Sequence, residues 1–106
     1  MSKPTKRPKV RFSADIVALC KQNRAELKRL KIKSLTLFGS FARDEANAKS
    51  DVDFIVEFTK PVGFFHFYDV KMSLENILGR QVDLVMPDAL RPEFRDQIEQ
   101  EKIRAA

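Results

Sequence analysis

The sequence has a single cysteine, Cys20, and a single histidine, His66. One cysteine cannot form an internal disulfide, so a reducing cytoplasm is the expected setting. Structural zinc sites cluster Cys and His, and two such residues far apart in sequence offer none. No Ser-His-Asp arrangement can be argued from spacing. Long apolar runs are missing as well. None approaches the ~20 residues of a membrane span, and no secretory signal precedes the first helix. There is no internal repeat, and 106 residues leave room for one small domain with an adequate core.

The formal charge of +5 is confined to one end. Lys3, Lys6, Arg7, Lys9 and Arg11 are five positive residues with no acid among them, whereas basic and acidic residues balance from Phe12 onward. With Pro4 and Pro8 and little to bury, residues 1–11 are expected as a disordered basic arm and 12–106 as the folded domain. A neutral domain argues against a nucleic-acid-binding fold, leaving only weak contact through the arm.

Apolar residues at helical spacing (Ile16, Leu19, Cys20, Leu27, Leu30) predict one helix from Ser13 to about Leu30. Cys20 on that face reads as core, and Lys21, Arg24 and Lys28 as a solvated basic stripe. Lys33 to Phe38 and Asp51 to Phe58 read as strands. Pro61 and Gly63 mark a turn before a helix from Phe64 to Leu78, closed by Gly79 as its C′ residue. Phe67, Val70, Leu74, Ile77 and Leu78 would line the sheet. Phe65, Tyr68 and Met72 form a second apolar stripe, so the helix is either sandwiched in a larger core or waiting for a partner. A chain of 106 residues offers little to cover it, which favours the partner. Gln81 to Val85 reads as a third strand, reached by a helical crossover and so parallel to the second. The expected fold class is therefore α/β (α+β), a small mixed three-stranded sheet covered by helices. A terminal helix after Pro87 and Pro92 carries a narrow stripe of Leu90, Phe94 and Ile98. Glu99, Glu101, Lys102 and Arg104 are expected to solvate its end.

The stretch LFGSFARDEANAKSDVDFIVEF, Leu37 to Phe58, organises the rest. Strand residues alternate faces, so Asp51 and Asp53 point the same way, with Cα atoms roughly 6.6 Å apart. Two carboxylates held so close repel unless a cation sits between them, and Mg²⁺ takes one or two carboxylates plus substrate phosphates. Ser40 to Ala46 reads as a short helix whose N-terminus, after the permissive Gly39, would receive a phosphate. Asp83, an acid inside a short apolar strand, would lie beside Asp51 and Asp53. An EF-hand is excluded because Asp51-Val-Asp-Phe-Ile-Val lacks the polar alternation and the sixth-position Gly.

Gly39-Ser40, ten residues, then Asp51-x-Asp53 resembles the signature of the nucleotidyltransferase superfamily. The chain is similar to its MNT-type minimal branch, the antitoxins that pair with HEPN-domain toxins, over about Ile32 to Ile98. The match is densest at GSFARDEANAKSDVDFIVEF and GRQVDLV. Asp44 departs from the pattern, standing where relatives often carry Gly; little consequence for the phosphate cradle is expected. The resemblance implies ATP as substrate and Asp51, Asp53 and Asp83 as metal and catalytic residues, with two Mg²⁺ ions. Gly39 and Ser40 would hold the β and γ phosphates, with Arg43 as a weaker contributor. Larger members carry a further domain for the acceptor, so here a partner is expected to present the hydroxyl. The resemblance supplies that partner: transfer of AMP to a tyrosine of a HEPN ribonuclease toxin within a hetero-oligomer, contacted through Phe65, Tyr68 and Met72. A purely steric antitoxin, and transfer to a small molecule or nucleic-acid end, stay open as alternatives.

Overall fold

A computed structural model describes residues 10–106. The first nine residues of the expected basic arm lie outside the described residues. Val10 is buried in the core, only 4% exposed.

The N-terminal helical stretch is two helices, α1 (Ser13–Gln22) and α2 (Arg24–Arg29), in place of the single helix expected. Asn23 makes the break. Its side-chain Nδ2 and its backbone N–H both donate to the Leu19 carbonyl, and its own carbonyl accepts from Leu27 to start the next helix. An Asn side chain that bonds nearby backbone competes with the helix ladder. The apolar face survives the break, since Ile16, Cys20, Leu27 and Leu30 are all buried. Burial also pushes the Cys20 thiol up to about 11, which suits packing rather than nucleophilic chemistry.

Strands β1 (Ile32–Phe38), β2 (Val52–Phe58) and β3 (Val82–Val85) follow the expected plan to within a residue at each start. β1 and β2 are antiparallel, and β2 and β3 parallel. Helix α3 (Phe64–Leu78) makes the crossover between the parallel pair. It ends at Gly79 in the left-handed conformation, φ 69°, which a Cβ would disfavour. Val70, Leu74 and Leu78 of α3 pack with Leu35, Leu37, Phe54 and Val56 of the sheet in one core. His66 is a packing residue, its Nε2 2.7 Å from the Leu30 carbonyl and its ring edge-on to Phe58.

The sheet has four strands, in the order β3-β2-β1-β4, one more than the sequence suggested. After short 3₁₀ turns at Pro87–Ala89 and Pro92–Phe94 comes α4 (Arg95–Glu101), and then β4 (Ile103–Arg104). β4 lies antiparallel to β1, with Leu37 opposite Ile103 and Thr36 opposite Arg104. A two-residue strand has no alternation to read; backbone pairing alone defines it. Ile98 of α4 is buried on the sheet face away from α3, where Thr36, Ile55 and Ile98 line one cavity. No helix among the described residues is long and apolar enough to cross a membrane.

Candidate active site

One row of residues crosses the sheet: Phe38 of β1 faces Asp53 of β2, which faces Asp83 of β3. Neighbouring strands lie about 4.8 Å apart, so the two aspartates stand side by side on one face. Asp51 precedes β2 by one residue and is exposed, as is Asp83; Asp53 is half-buried. The strand alternation that buries Val52, Phe54 and Val56 turns Asp53 the other way.

Gly39 follows Phe38 directly, and the local geometry demands it twice. Its φ is +77°, and a Cβ there would stand 2.2 Å from Asp53 Oδ2. An L-residue would thus collide with the carboxylate as well as strain the backbone.

The helix expected from Ser40 to Ala46 is a single tight turn instead. Arg43 N–H donates to the Gly39 carbonyl, Asp44 N–H to Phe41, and Glu45 N–H to Ser40. The last two bonds are a Schellman closure with Asp44 as its left-handed residue, φ 56°. That conformation explains why Gly suits the position and why the helix stops. Asp44 tolerates it and is put to use: its Oδ1 accepts the Ser13 N–H at 2.6 Å, tying the start of α1 to the turn.

Two further contacts hold the segment between the turn and β2. Phe41 is buried, and the Arg80 guanidinium lies over its ring at 5.0 Å. The same guanidinium donates to the carbonyls of Asn47 and Ser50, each at 2.7 Å. Glu101, at the end of α4, accepts from Gly39 N–H at 2.7 Å and from Arg43 Nη1 at 2.8 Å. It therefore does not solvate the terminal helix, as its sequence context suggested. Arg43 also pairs with Glu45. Nothing in the local sequence of Arg80 or Glu101 announces these roles, because their partners lie 30 or more residues away.

The corner is short of positive charge. Burial, then the neighbouring Asp83 and Asp51 charges, push the Asp53 carboxyl up to about 6, with Glu101 adding to the rise and Arg43 opposing it. Burial pushes the Glu101 carboxyl up too, but hydrogen bonds from Arg43 and Gly39 outweigh it and hold the group below its ordinary range. Among the described residues no three acidic, His or Cys side chains form a ready-made cation cage. Mg²⁺ does not require one, since it keeps water and takes one or two carboxylates plus substrate phosphates. An all-oxygen donor set on one face, with one carboxylate resisting ionisation, fits such an ion.

Of the residues singled out from sequence, the structure brings Gly39, Ser40, Arg43, Asp51, Asp53 and Asp83 to one end of the sheet. Phe65, Tyr68 and Met72 are exposed on the outer side of α3.

Known proteins share this sequence family and fold. The nucleotidyltransferase domain family matches residues 19–105. The protein adenylyltransferase MntA of Thermococcus cleftensis is 35% identical over 78 residues, which cover 73% of this chain and 79% of that protein. The solved structure of a candidate minimal nucleotidyltransferase superposes with a TM-score of 0.72 at 30% identity, covering 87% of this chain and 94% of that one. A solved complex of a tri-AMPylated HEPN toxin with an MNT antitoxin from Shewanella oneidensis shares the fold, with a TM-score of 0.53 at 18% identity over 81% of this chain and 71% of that one. The chain belongs to the nucleotidyltransferase family, in its minimal branch, and is a nucleotidyltransferase.

Proposed function

We propose that the acidic corner transfers AMP from ATP to a tyrosine hydroxyl of a HEPN-domain toxin, neutralising it. The observation that carries this reading is the row Phe38–Asp53–Asp83, with an Asp53 oxygen against Gly39 where the Gly39-Ser40 turn begins. Phosphate turn and carboxylates thus share one edge of the sheet. The relative named as a protein adenylyltransferase and the AMPylated HEPN toxin of the Shewanella complex supply the chemistry and the acceptor class.

In this reading Asp51, Asp53 and Asp83 would hold Mg²⁺, two ions in the full site. Bound there, the metal would supply charge neutralisation on the phosphates and so a lower barrier to displacement at phosphorus. The turn at Gly39 and Ser40 receives the β and γ phosphates, with Arg43 beside it bracing the turn. Asp83, on the outer strand of the row, takes the proton from the acceptor hydroxyl. The hydroxyl oxygen then attacks the α phosphorus, the bond to the β-phosphate bridge breaks, and pyrophosphate leaves. The protein's part is mainly positioning and charge stabilisation.

The acceptor docks on the outer side of α3, through Phe65, Tyr68 and Met72, to form a hetero-oligomer. These exposed side chains also favour a second reading, in which binding alone silences the toxin and the chemistry is dispensable. Pyrophosphate release separates the two. The enzymatic reading expects release that requires ATP, Mg²⁺ and the HEPN protein together. Stable complex formation and toxin silencing without any release would leave the steric reading standing.

A further inference from the structure

Glu101 reaches the phosphate turn from the far end of the chain. Its side chain is only 10% exposed, and both oxygens are engaged. Oε2 accepts the Gly39 N–H, while Oε1 accepts from Arg43 Nη1 and, at 3.5 Å, from Gln97 Nε2. The backbone behind it is registered to β1, the strand that delivers Gly39. Leu37 faces Ile103, Thr36 faces Arg104, and Leu35 exchanges hydrogen bonds with Ala105 and Ala106.

Two groups that the turn could offer to an anion are therefore already engaged: the Gly39 N–H by Glu101, and the Arg43 guanidinium by Glu101 through Nη1 and by Glu45 through Nε. A mobile carboxylate here would compete with a triphosphate. This one is partly buried, doubly bonded and anchored by β4, so it is built to stay. What remains for a phosphate is the rest of the turn. The N–H groups of Ser40, Phe41 and Ala42 have no hydrogen-bond partner among the described residues, and Ser40 adds its hydroxyl.

Resting on the function proposed above, the geometry points to Glu101 as a positioning residue for nucleotide binding. It locks Gly39 and Arg43 so that Ser40 and the N–H groups after it face the β and γ phosphates. Arg43 then serves the turn, and not the nucleotide directly.

Paired binding measurements with ATP and AMP, in Mg²⁺, test the assignment alongside transfer kinetics. Glu101→Ala should weaken ATP binding by about tenfold, the scale of a lost charge-assisted hydrogen bond, and raise the KM for ATP similarly. AMP binding and kcat should stay within about twofold, because AMP lacks the phosphates that the turn holds. Glu101→Gln keeps an acceptor for Gly39 N–H and should recover part of the loss. Should the alanine variant fold poorly, Glu101→Gln and Arg43→Gln combined should cost no more than the worse single change, the mark of one shared contact. Unchanged or tighter ATP binding by Glu101→Ala, equal losses for ATP and AMP, or additive effects in the double variant would overturn the assignment. A wild-type protein that transfers AMP while Glu101 variants match it defeats this inference alone; a wild type that transfers nothing defeats the functional reading and this inference with it.

Discussion

At the acidic corner the chain is fastened from several directions, while the outer side of α3 is left bare. Asp44 ties the phosphate turn to α1, Arg80 ties the following loop to the end of α3, and Glu101 ties Gly39 to α4. On α3, by contrast, Phe65 is 83% exposed and Tyr68 50% exposed, with Phe64 and Met72 exposed beside them. Large aromatics in water gain nothing for the isolated fold; buried against a partner, each is worth on the order of 1–3 kcal/mol. One region is held still, as the proposed phosphoryl chemistry would require; the other is left open, as the proposed docking of a partner would require.

The contrast predicts that the two regions can be damaged separately. The largest effect belongs to the corner. Asp51→Asn with Asp53→Asn should lower AMP transfer by about a thousandfold or more, since the site loses the charges that would hold the metal. The complex with the HEPN protein should survive, as gel filtration would show. Loss of the complex in that variant would mean that corner and docking face are not separate.

The complementary change comes next in size. Tyr68→Ser with Met72→Ser should weaken the complex by about ten- to a hundredfold in a titration experiment. Thermal unfolding should barely move, because both side chains are exposed. Undiminished affinity would remove the outer side of α3 from the interface.

A smaller effect concerns the charge stored at the corner. Asp53 is pushed up to about 6 from an ordinary value of 3.8. Below 3.8 the carboxyl is protonated in folded and unfolded chains alike and costs nothing. Between 3.8 and about 6 only the unfolded chain ionises, so stability falls as pH rises; above about 6 the full cost is present. In the absence of divalent metal, Asp53→Asn should therefore raise the melting temperature at pH 7.5 by about 3 °C, a modest figure for a group half in solvent. That gain should fade by pH 4, and Mg²⁺ should stabilise the wild type more than the variant.

The smallest effect is expected at Asp44. Replacing it with Gly relieves left-handed strain of roughly 1–2 kcal/mol but loses the bond to Ser13 N–H, worth about 1 kcal/mol. The two nearly cancel, so urea unfolding should register a change within about 1 kcal/mol. Asp44→Ala keeps the strain and loses the bond, and should be the more damaging of the two.

How much of this was legible in the sequence follows from where each determinant lies. Helix α3 was readable to the residue, because its apolar spacing and Gly79 are local signals. The parallel placement of Asp83 beside Asp53 followed from a helical crossover, which leaves few alternatives. Determinants that act across the fold were not readable. Asn23 breaks a helix whose apolar spacing runs straight through it. β4 is a two-residue strand defined by its partner. The turn after Gly39 looked like a helix start, and only the left-handed Asp44 reveals where it closes. Glu101 looked like one charge among several at a chain end, yet it is bonded to a glycine 62 positions away. That the carboxylates and the Gly39-Ser40 turn come together could be read from spacing and strand order; what holds them in place could not.

The most direct test of the central claim is the intact mass of a HEPN-domain partner after incubation with this protein, ATP and Mg²⁺, with the Asp51→Asn, Asp53→Asn variant in parallel. The account predicts one or more added AMP units with the wild type and none with the variant. A partner that forms a stable complex with the wild type and gains no mass would contradict it.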